Sequence, residues 1–248
     1  MHRFFVEQAN LRAGSEVDLA SLAHQLYVVL RLREGAEIVL LDGSGAAFLA
    51  RIVTLSSRAG RGLLLTECAS TGEPTLHLTL YQCSLKADKF EWVLQKGTEL
   101  GVSRFVPVIS RRSVVRPAAT LLKKYERWTR IVREAAEQCG RTQLPQLGEP
   151  LELDELPQEE KRLRLLPWES AAKQGAPGIR AALTAAGKVS HVSLLIGPEG
   201  GLDEDEAADA SSANWLIVSL GPRILRAETA ALAASTLVMG HFDELGSL

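Results

Sequence analysis

Two stretches constrain this chain more than any other feature: Leu194-Leu195-Ile196-Gly197-Pro198-Glu199-Gly200-Gly201-Leu202-Asp203 and Ser219-Leu220-Gly221-Pro222-Arg223-Ile224-Leu225-Arg226-Ala227-Glu228-Thr229. In each, an apolar strand runs into a Gly-Pro loop and a helix follows closely. Asp203 is suited to cap the first of these helices, with Glu206 at the spacing of a capping box. Ligands of open α/β sheets bind beyond the carboxyl ends of strands, where such loops lie, and glycine lets them approach the backbone. Taken singly, each loop is equally compatible with a plain strand–helix turn. Their common form points to one shared site. Neither loop has the G-x-G-x-x-G or G-x-x-x-x-G-K-[ST] spacing of the common nucleotide-binding loops, and Glu199 would repel a phosphate. A neutral or cationic ligand fits better.

The rest of the chain divides near residue 72. Before it, apolar or β-branched runs at Phe4–Val6, Leu26–Leu32, Ile38–Leu41, Phe48–Leu55 and Leu63–Thr66 read as short strands. Asp42-Gly43-Ser44-Gly45 reads as the turn of a hairpin, and a small β-barrel or sandwich is expected. Thr71-Gly72-Glu73-Pro74 reads as a linker. Beyond it strands (Leu76–Cys83, Arg104–Ser110, Leu163–Leu166, His191–Ile196, Trp215–Leu220) alternate with helices (86–100, 118–139, 178–186, 203–212, 228–242). That alternation predicts an open, mainly parallel α/β sheet. In the long helix, Leu121, Tyr125, Trp128, Val132, Ala135 and Cys139 form one apolar stripe. The acidic stretch from Gln146 to Lys161 reads as a surface connection.

Composition mostly excludes. No run approaches the roughly 20 apolar residues that span a bilayer, and Glu7 interrupts the place where an export signal would be apolar. The cytoplasm is the expected location. Cys68, Cys83 and Cys139 form no C-x-x-C pair, and the five histidines show no ligand spacing, so no metal site is expected. Charge is uneven: from Lys86 to Pro145, 13 Lys and Arg stand against 6 Asp and Glu, whereas from Gln146 onward 8 stand against 16. A basic patch of this kind suits an anionic partner, although solvated helix faces explain the charge as well.

The two loops, together with Leu94–Val102 (LQKGTELGV), Glu134–Arg141 (EAAEQCGR) and the opening His2-Arg3-Phe4-Phe5, resemble the bacterial 16S ribosomal RNA uridine N3-methyltransferases of the SPOUT class. The resemblance spans nearly the whole chain. It implies a PUA-like β-barrel over residues 1–72 and an α/β methyltransferase domain over 73–248 with a C-terminal trefoil knot. It further implies S-adenosylmethionine as cofactor, 16S ribosomal RNA as partner (in the small ribosomal subunit), and a homodimer. Carried over residue by residue, the cofactor contacts are Leu166, Pro167, Ile196, Gly197, Pro198, Glu199, Gly200, Gly201, Leu220, Gly221, Ile224, Leu225, Arg226, Thr229 and Ala230.

For catalysis the candidates are Arg226 and then Arg3, to stabilise charge developing on a uracil carbonyl, with Glu228 to orient the arginine or accept the N3 proton. RNA phosphates are expected at Arg3, Arg31, Arg33, Arg111, Arg112, Arg116, Arg141 and Arg223. Cys139 falls on the apolar stripe and reads as core, not as a nucleophile. Two rival readings are a related methyltransferase acting on another base or a ribose, and a non-catalytic RNA-binding protein.

Overall fold

The computed structural model describes residues 1–7, 11–69, 72–157 and 162–246. These form two compact units, Met1–Glu73 with Ala136–Leu144, and Pro74–Ala135 with Pro145–Leu248. The expected boundary near residue 72 is therefore incomplete, because residues 136–144 belong with the first unit. Thr71 of the expected linker and residues 158–161 of the acidic stretch lie outside the described residues.

The first unit is one five-stranded sheet: β1 (Arg3–Phe5), β2 (Glu16–Asp18), β3 (Glu37–Leu41), β4 (Ala47–Leu55) and β5 (Gly60–Cys68), in the order β1-β3-β4-β5-β2. Only β1 and β3 run parallel. Register shifts at Leu49/Ala50 and Ile52/Thr54 bulge the β4–β5 ladder, and bulges of this kind increase twist. Phe4, Leu26, Ile38, Leu40, Ile52 and Leu64 fill the concavity.

The run Leu26–Leu32 is not the strand its β-branched residues suggest. Gln25–Val29 forms a single π-helical turn that buries Leu26 alone and exposes Val28 and Val29. One apolar anchor suffices for a turn, whereas a strand facing a core would bury alternate residues.

Glu73 explains why residues 136–144 join this unit. Its Oε1 accepts the backbone N–H groups of Thr142 (2.6 Å) and Gln143 (2.9 Å), and its Oε2 accepts Arg141 Nη2 (3.0 Å). Glu137 Oε1 accepts the Phe5 N–H at 2.9 Å, and Arg3 Nη1 donates to the Gly140 carbonyl at 2.8 Å.

The second unit is built on β6 (His77–Cys83), α1 (Lys89–Glu99), β7 (Arg104–Ile109), α2 (Ala118–Leu122), the first part of α3 (Tyr125–Cys139), β8 (Gln146–Leu147), β9 (Leu151–Glu152), β10 (Leu163–Pro167), α4 (Ile179–Ala186), β11 (His191–Ile196), α5 (Glu204–Ser212), β12 (Leu216–Val218) and α6 (Ala227–His241). All pairings in its sheet are parallel, in the order β12-β10-β11-β6-β7-β8, with β9 also on β7. The central strands β6 and β11 are buried almost throughout, as parallel strands covered on both faces must be.

The expected single helix over 118–139 is two, since the Lys124 N–H turns back to the Leu121 carbonyl and closes α2. Its predicted stripe still buries Leu121, Trp128, Val132 and Ala135. Phe90 stacks on Trp128 with centroids 4.5 Å apart. The stretch read as a plain connection carries β8 and β9 instead.

Candidate functional site

Because the strands run parallel, their carboxyl ends share one edge of the sheet. β11 and β12 flank β10, so the loops leaving all three converge, and the connection after β6 leads into α1 beside them. A cavity of about 790 Å³ opens there. Its wall includes Pro167, Ile196, Gly197, Pro198, Glu199, Gly200, Gly201, Leu220, Gly221, Ile224, Leu225, Arg226 and Ala230, thirteen of the fifteen positions expected for the cofactor, all from the second unit.

The other two face elsewhere. Leu166 alternates with the residues of β10 that face the α6 side and is fully buried in the core on the α5 side of the sheet. Thr229 is exposed on the first turn of α6 and does not line the cavity.

The first glycine loop is held in shape from several directions. Asp203 Oδ1 accepts the Glu206 N–H at 2.8 Å and Glu206 Oε2 accepts the Asp203 N–H at 3.0 Å, which completes the predicted capping box at the start of α5. The free oxygen of Glu206 accepts the Arg111 N–H at 2.8 Å, and the Arg111 guanidinium reaches Asp203 at 3.2 Å. Arg112 Nη1 donates to the Gly200 carbonyl at 3.0 Å. Arg111 and Arg112, expected at phosphates, thus brace this loop. Gly201 has φ +68°, and a Cβ there would land on the Glu169 carboxylate.

Glu199 is the best-anchored acid on the wall. It accepts the Lys86 N–H at 3.0 Å and lies 3.4 Å from Lys89 Nζ. Burial raises its pKa, but the N–H groups of Lys86 and of Glu199 itself, with the Lys89 ammonium, outweigh burial and hold it below the ordinary value. Lys89 also lies 3.6 Å from Glu228 Oε2, a buried oxygen that accepts no hydrogen bond from a described residue. Glu228 therefore stands behind Lys89, outside the cavity wall.

Sequence reasoning missed Lys89 and, on the β10 loop, Lys173. Trp168 fixes that loop by donating from Nε1 to the Leu202 carbonyl at 3.2 Å. The signal for Lys89 was available only once β6 is known to lie beside β11.

The expected RNA-contacting arginines are scattered. Arg223 lies on the cavity rim. Arg31, with φ 55°, and Arg33, 4.9 Å above the Tyr27 ring, are exposed in the first unit, where Arg3 also lies. Arg116 lines a second cavity of about 730 Å³ whose charged walls, Glu152, Asp154, Glu206 and Asp209 against Arg111 and Arg116, are predominantly acidic and do not suit a phosphate. Arg141 must be reassigned: it is 4% exposed and committed to Glu73, so a phosphate in solvent cannot reach it. Cys139 is only half-buried, with its thiol against the Ala136 carbonyl, so the apolar stripe does not carry it into the core as expected. The described residues hold no cluster of His, Cys, Asp and Glu suited to a metal, and no helix long and apolar enough to cross a membrane.

Comparison with known proteins agrees with this geometry. The model of an RNA methyltransferase domain matches residues 72–239, and that of an RNA methyltransferase PUA domain matches residues 26–59. Ribosomal RNA small subunit methyltransferase E of Bacillus subtilis is 31% identical over 251 residues, 96% of each chain. Its Synechocystis counterpart is 34% identical over 85% of this chain and 68% of its own. Among solved structures, the Neisseria gonorrhoeae ribosomal RNA small subunit methyltransferase E bound to S-adenosyl methionine superposes with a TM-score of 0.83 at 35% identity, covering 96% of this chain and 97% of the other. A Legionella pneumophila methyltransferase in complex with the same cofactor gives 0.81 at 29% identity and 96% coverage of both. With the domain model, the full-length relatives and the loop-built cavity in agreement, this chain belongs to the ribosomal RNA small subunit methyltransferase E family of RNA methyltransferases.

Proposed function

We propose that this protein uses S-adenosylmethionine to methylate a uridine of small-subunit ribosomal RNA at N3. The observation that carries the reading is the cavity at the carboxyl edge of the sheet, with bare glycine backbone along one wall and an anchored, ionised Glu199 on it. The residues fit the cofactor: a volume of about 790 Å³ lies within the range of small-molecule sites, and Glu169 and Glu199 complement its cationic groups.

When bound, S-adenosylmethionine supplies an electrophilic methyl group on a sulfonium. The chain's own residues do the rest. The glycine loops and Leu220, Leu225 and Ala230 hold the cofactor, and the two loops set the direction from which N3 approaches, which removes much of the entropic barrier. Arg226, exposed at the N-cap of α6 and on the cavity wall, would face the uracil carbonyls and stabilise the negative charge that grows there as N3 loses its proton to solvent water. Glu228 acts as a positioning residue, since its carboxylate fixes Lys89 beside Glu199. Arg223 on the rim and Arg31 and Arg33 in the first unit hold the RNA through its phosphates. The same reading carries the C-terminal knot and the homodimer that the resemblance implies.

The test is calorimetry with S-adenosylmethionine, followed by mass spectrometry of ribosomal RNA from a deletion strain before and after treatment with the purified protein. A missing methyluridine that the protein restores is the expected result. An unchanged modification profile would overturn the assignment.

A further inference from the structure

At the opposite, amino-terminal edge of the same sheet, four strands bring a row of polar side chains into register. Arg164 of β10 pairs with Ser193 of β11, Ser193 with Thr79 of β6, and Thr79 with Arg104 of β7. Strand alternation puts all four on one face, together with His77 and His191 two residues earlier, whose rings stack 5.3 Å apart. The next residues along that face, Leu166, Leu195, Tyr81 and Val106, belong to an apolar core, so the row sits against buried surface. Arg164 is 6% exposed, and Thr79 and Ser193 are fully buried.

Five polar atoms of this row are buried with no hydrogen-bond partner among the described residues: Arg164 Nη1, Arg104 Nε, Thr79 Oγ1, Ser193 Oγ and His77 Nδ1. Among the described residues neither guanidinium has an acidic partner in an ion pair. Buried polar groups in native proteins are nearly always paired, and an arginine cannot relieve its burial by losing a proton. The backbone makes room for one of them: a Cβ on Gly148 would sit 3.2 Å from Arg104 Nη2 and 3.3 Å from its Nε. Burial lowers the pKa of His77, and the neighbouring His191, Arg162 and Arg104 lower it further, against a backbone hydrogen bond that raises it. His77, His191 and Arg104 are only partly buried, which leaves a way in from solvent.

We propose that this row is a second binding site, for a phosphate-class oxyanion, with Arg164 and Arg104 as charged donors, the Thr79 and Ser193 hydroxyls as neutral donors on the floor, and His77 at the mouth. Guanidinium forks match tetrahedral oxyanions, and the number of donors exceeds what the two oxygens of a carboxylate can use. Water would satisfy the hydroxyls but would leave the two charges uncompensated. The chemistry is common to inorganic phosphate and to a phosphate of the RNA backbone.

The experiment titrates inorganic phosphate into the full-length protein at constant ionic strength, by calorimetry and thermal shift, with chloride and acetate as controls. Saturable phosphate binding, absent with chloride and weaker with acetate, is expected. The T79V/S193A variant, which keeps volume and charge, is expected to bind phosphate at least tenfold more weakly, and R104M to lose binding, while both bind S-adenosylmethionine as the parent does. A short oligoribonucleotide that displaces phosphate identifies the natural ligand as RNA backbone; failure to displace it identifies a free anion. Absence of saturable phosphate binding, tighter binding of acetate, or unchanged phosphate affinity in T79V/S193A would each overturn the proposal.

Discussion

The ammonium of Lys89 lies 3.4 Å from the Glu199 carboxylate and so joins the start of α1 to the glycine loop after β11. Glu199 has a pKa below its ordinary value in the folded protein, where hydrogen bonds from Lys86 and its own backbone and the charge of Lys89 overcome burial. A carboxylate of this kind stabilises the fold at pH above its unfolded value, and the stabilisation is lost as pH falls through the folded value. Lys89→Met raises the folded pKa. The acid-unfolding midpoint followed by circular dichroism is expected to move to higher pH, with several-fold weaker binding of S-adenosylmethionine. An unmoved midpoint would show that Lys89 does not tune this acid.

Gly201 carries a positive φ with the Glu169 carboxylate against it. Alanine in that conformation costs about 1–2 kcal/mol before any collision is counted. Gly201→Ala is therefore expected to lower Tm and weaken cofactor binding at least tenfold. Adding Glu169→Ala removes the collision but not the backbone strain, so the double variant is expected to recover only part of the lost Tm. Full recovery would show that φ is not limiting.

Arg226 stands on the cavity wall at the N-cap of α6, in no ion pair with a described residue. Arg226→Ala is expected to reduce methyl transfer by about 10²-fold or more, the scale for losing one donor to a developing oxyanion, with cofactor affinity changed little. Separate calorimetric and turnover measurements make the distinction, and a fully active variant would contradict the role given to Arg226.

Arg141 and Glu73 form a buried pair, with side chains 5% and 16% exposed. Breaking such a pair by removing one partner costs about 3–5 kcal/mol. Arg141→Ala is expected to show this loss in urea unfolding. At a temperature where the variant remains folded, the salt dependence of its RNA binding is expected to match the parent's. A shallower salt slope would instead mark a lost phosphate contact.

Burial, with a smaller push from Glu206, raises the Cys83 thiol to about 12 against a weaker opposing bond to Ser110. Cys83 is therefore expected to resist alkylation at neutral pH, while the partly exposed Cys68 and Cys139 react. Cys139→Ser should retain activity. Rapid labelling of Cys83 in the native protein would place it outside the core.

The parts of the site that are local in sequence could be read from it. The Gly-Pro loops and the Asp203–Glu206 capping box need only neighbours a few residues away, and both form as expected. Lys89 could not be read, because its relevance depends on β6 lying next to β11, more than a hundred residues later in the chain. Arg141 was misjudged for the same reason: counting charges treats each arginine as solvated, and its acid lies 68 residues away. Position alone does not put the Leu166 side chain on the cavity wall, since adjacent residues of a strand face opposite sides of the sheet. The turn at Gln25–Val29 failed because β-branched composition says nothing about how many residues find a core.

Glu73 binds the backbone of Thr142 and Gln143 as well as the Arg141 side chain, so the first unit draws on two separated stretches of chain. On the ribosome its five strands emerge early, yet the partners of Glu73 are translated only after β6, α1 and β7 have followed. Domains usually complete themselves in the order of synthesis. Here the amino-terminal unit stays unfinished until Leu144 has left the exit tunnel, and a fragment released at Glu73 would lack the segment that completes it.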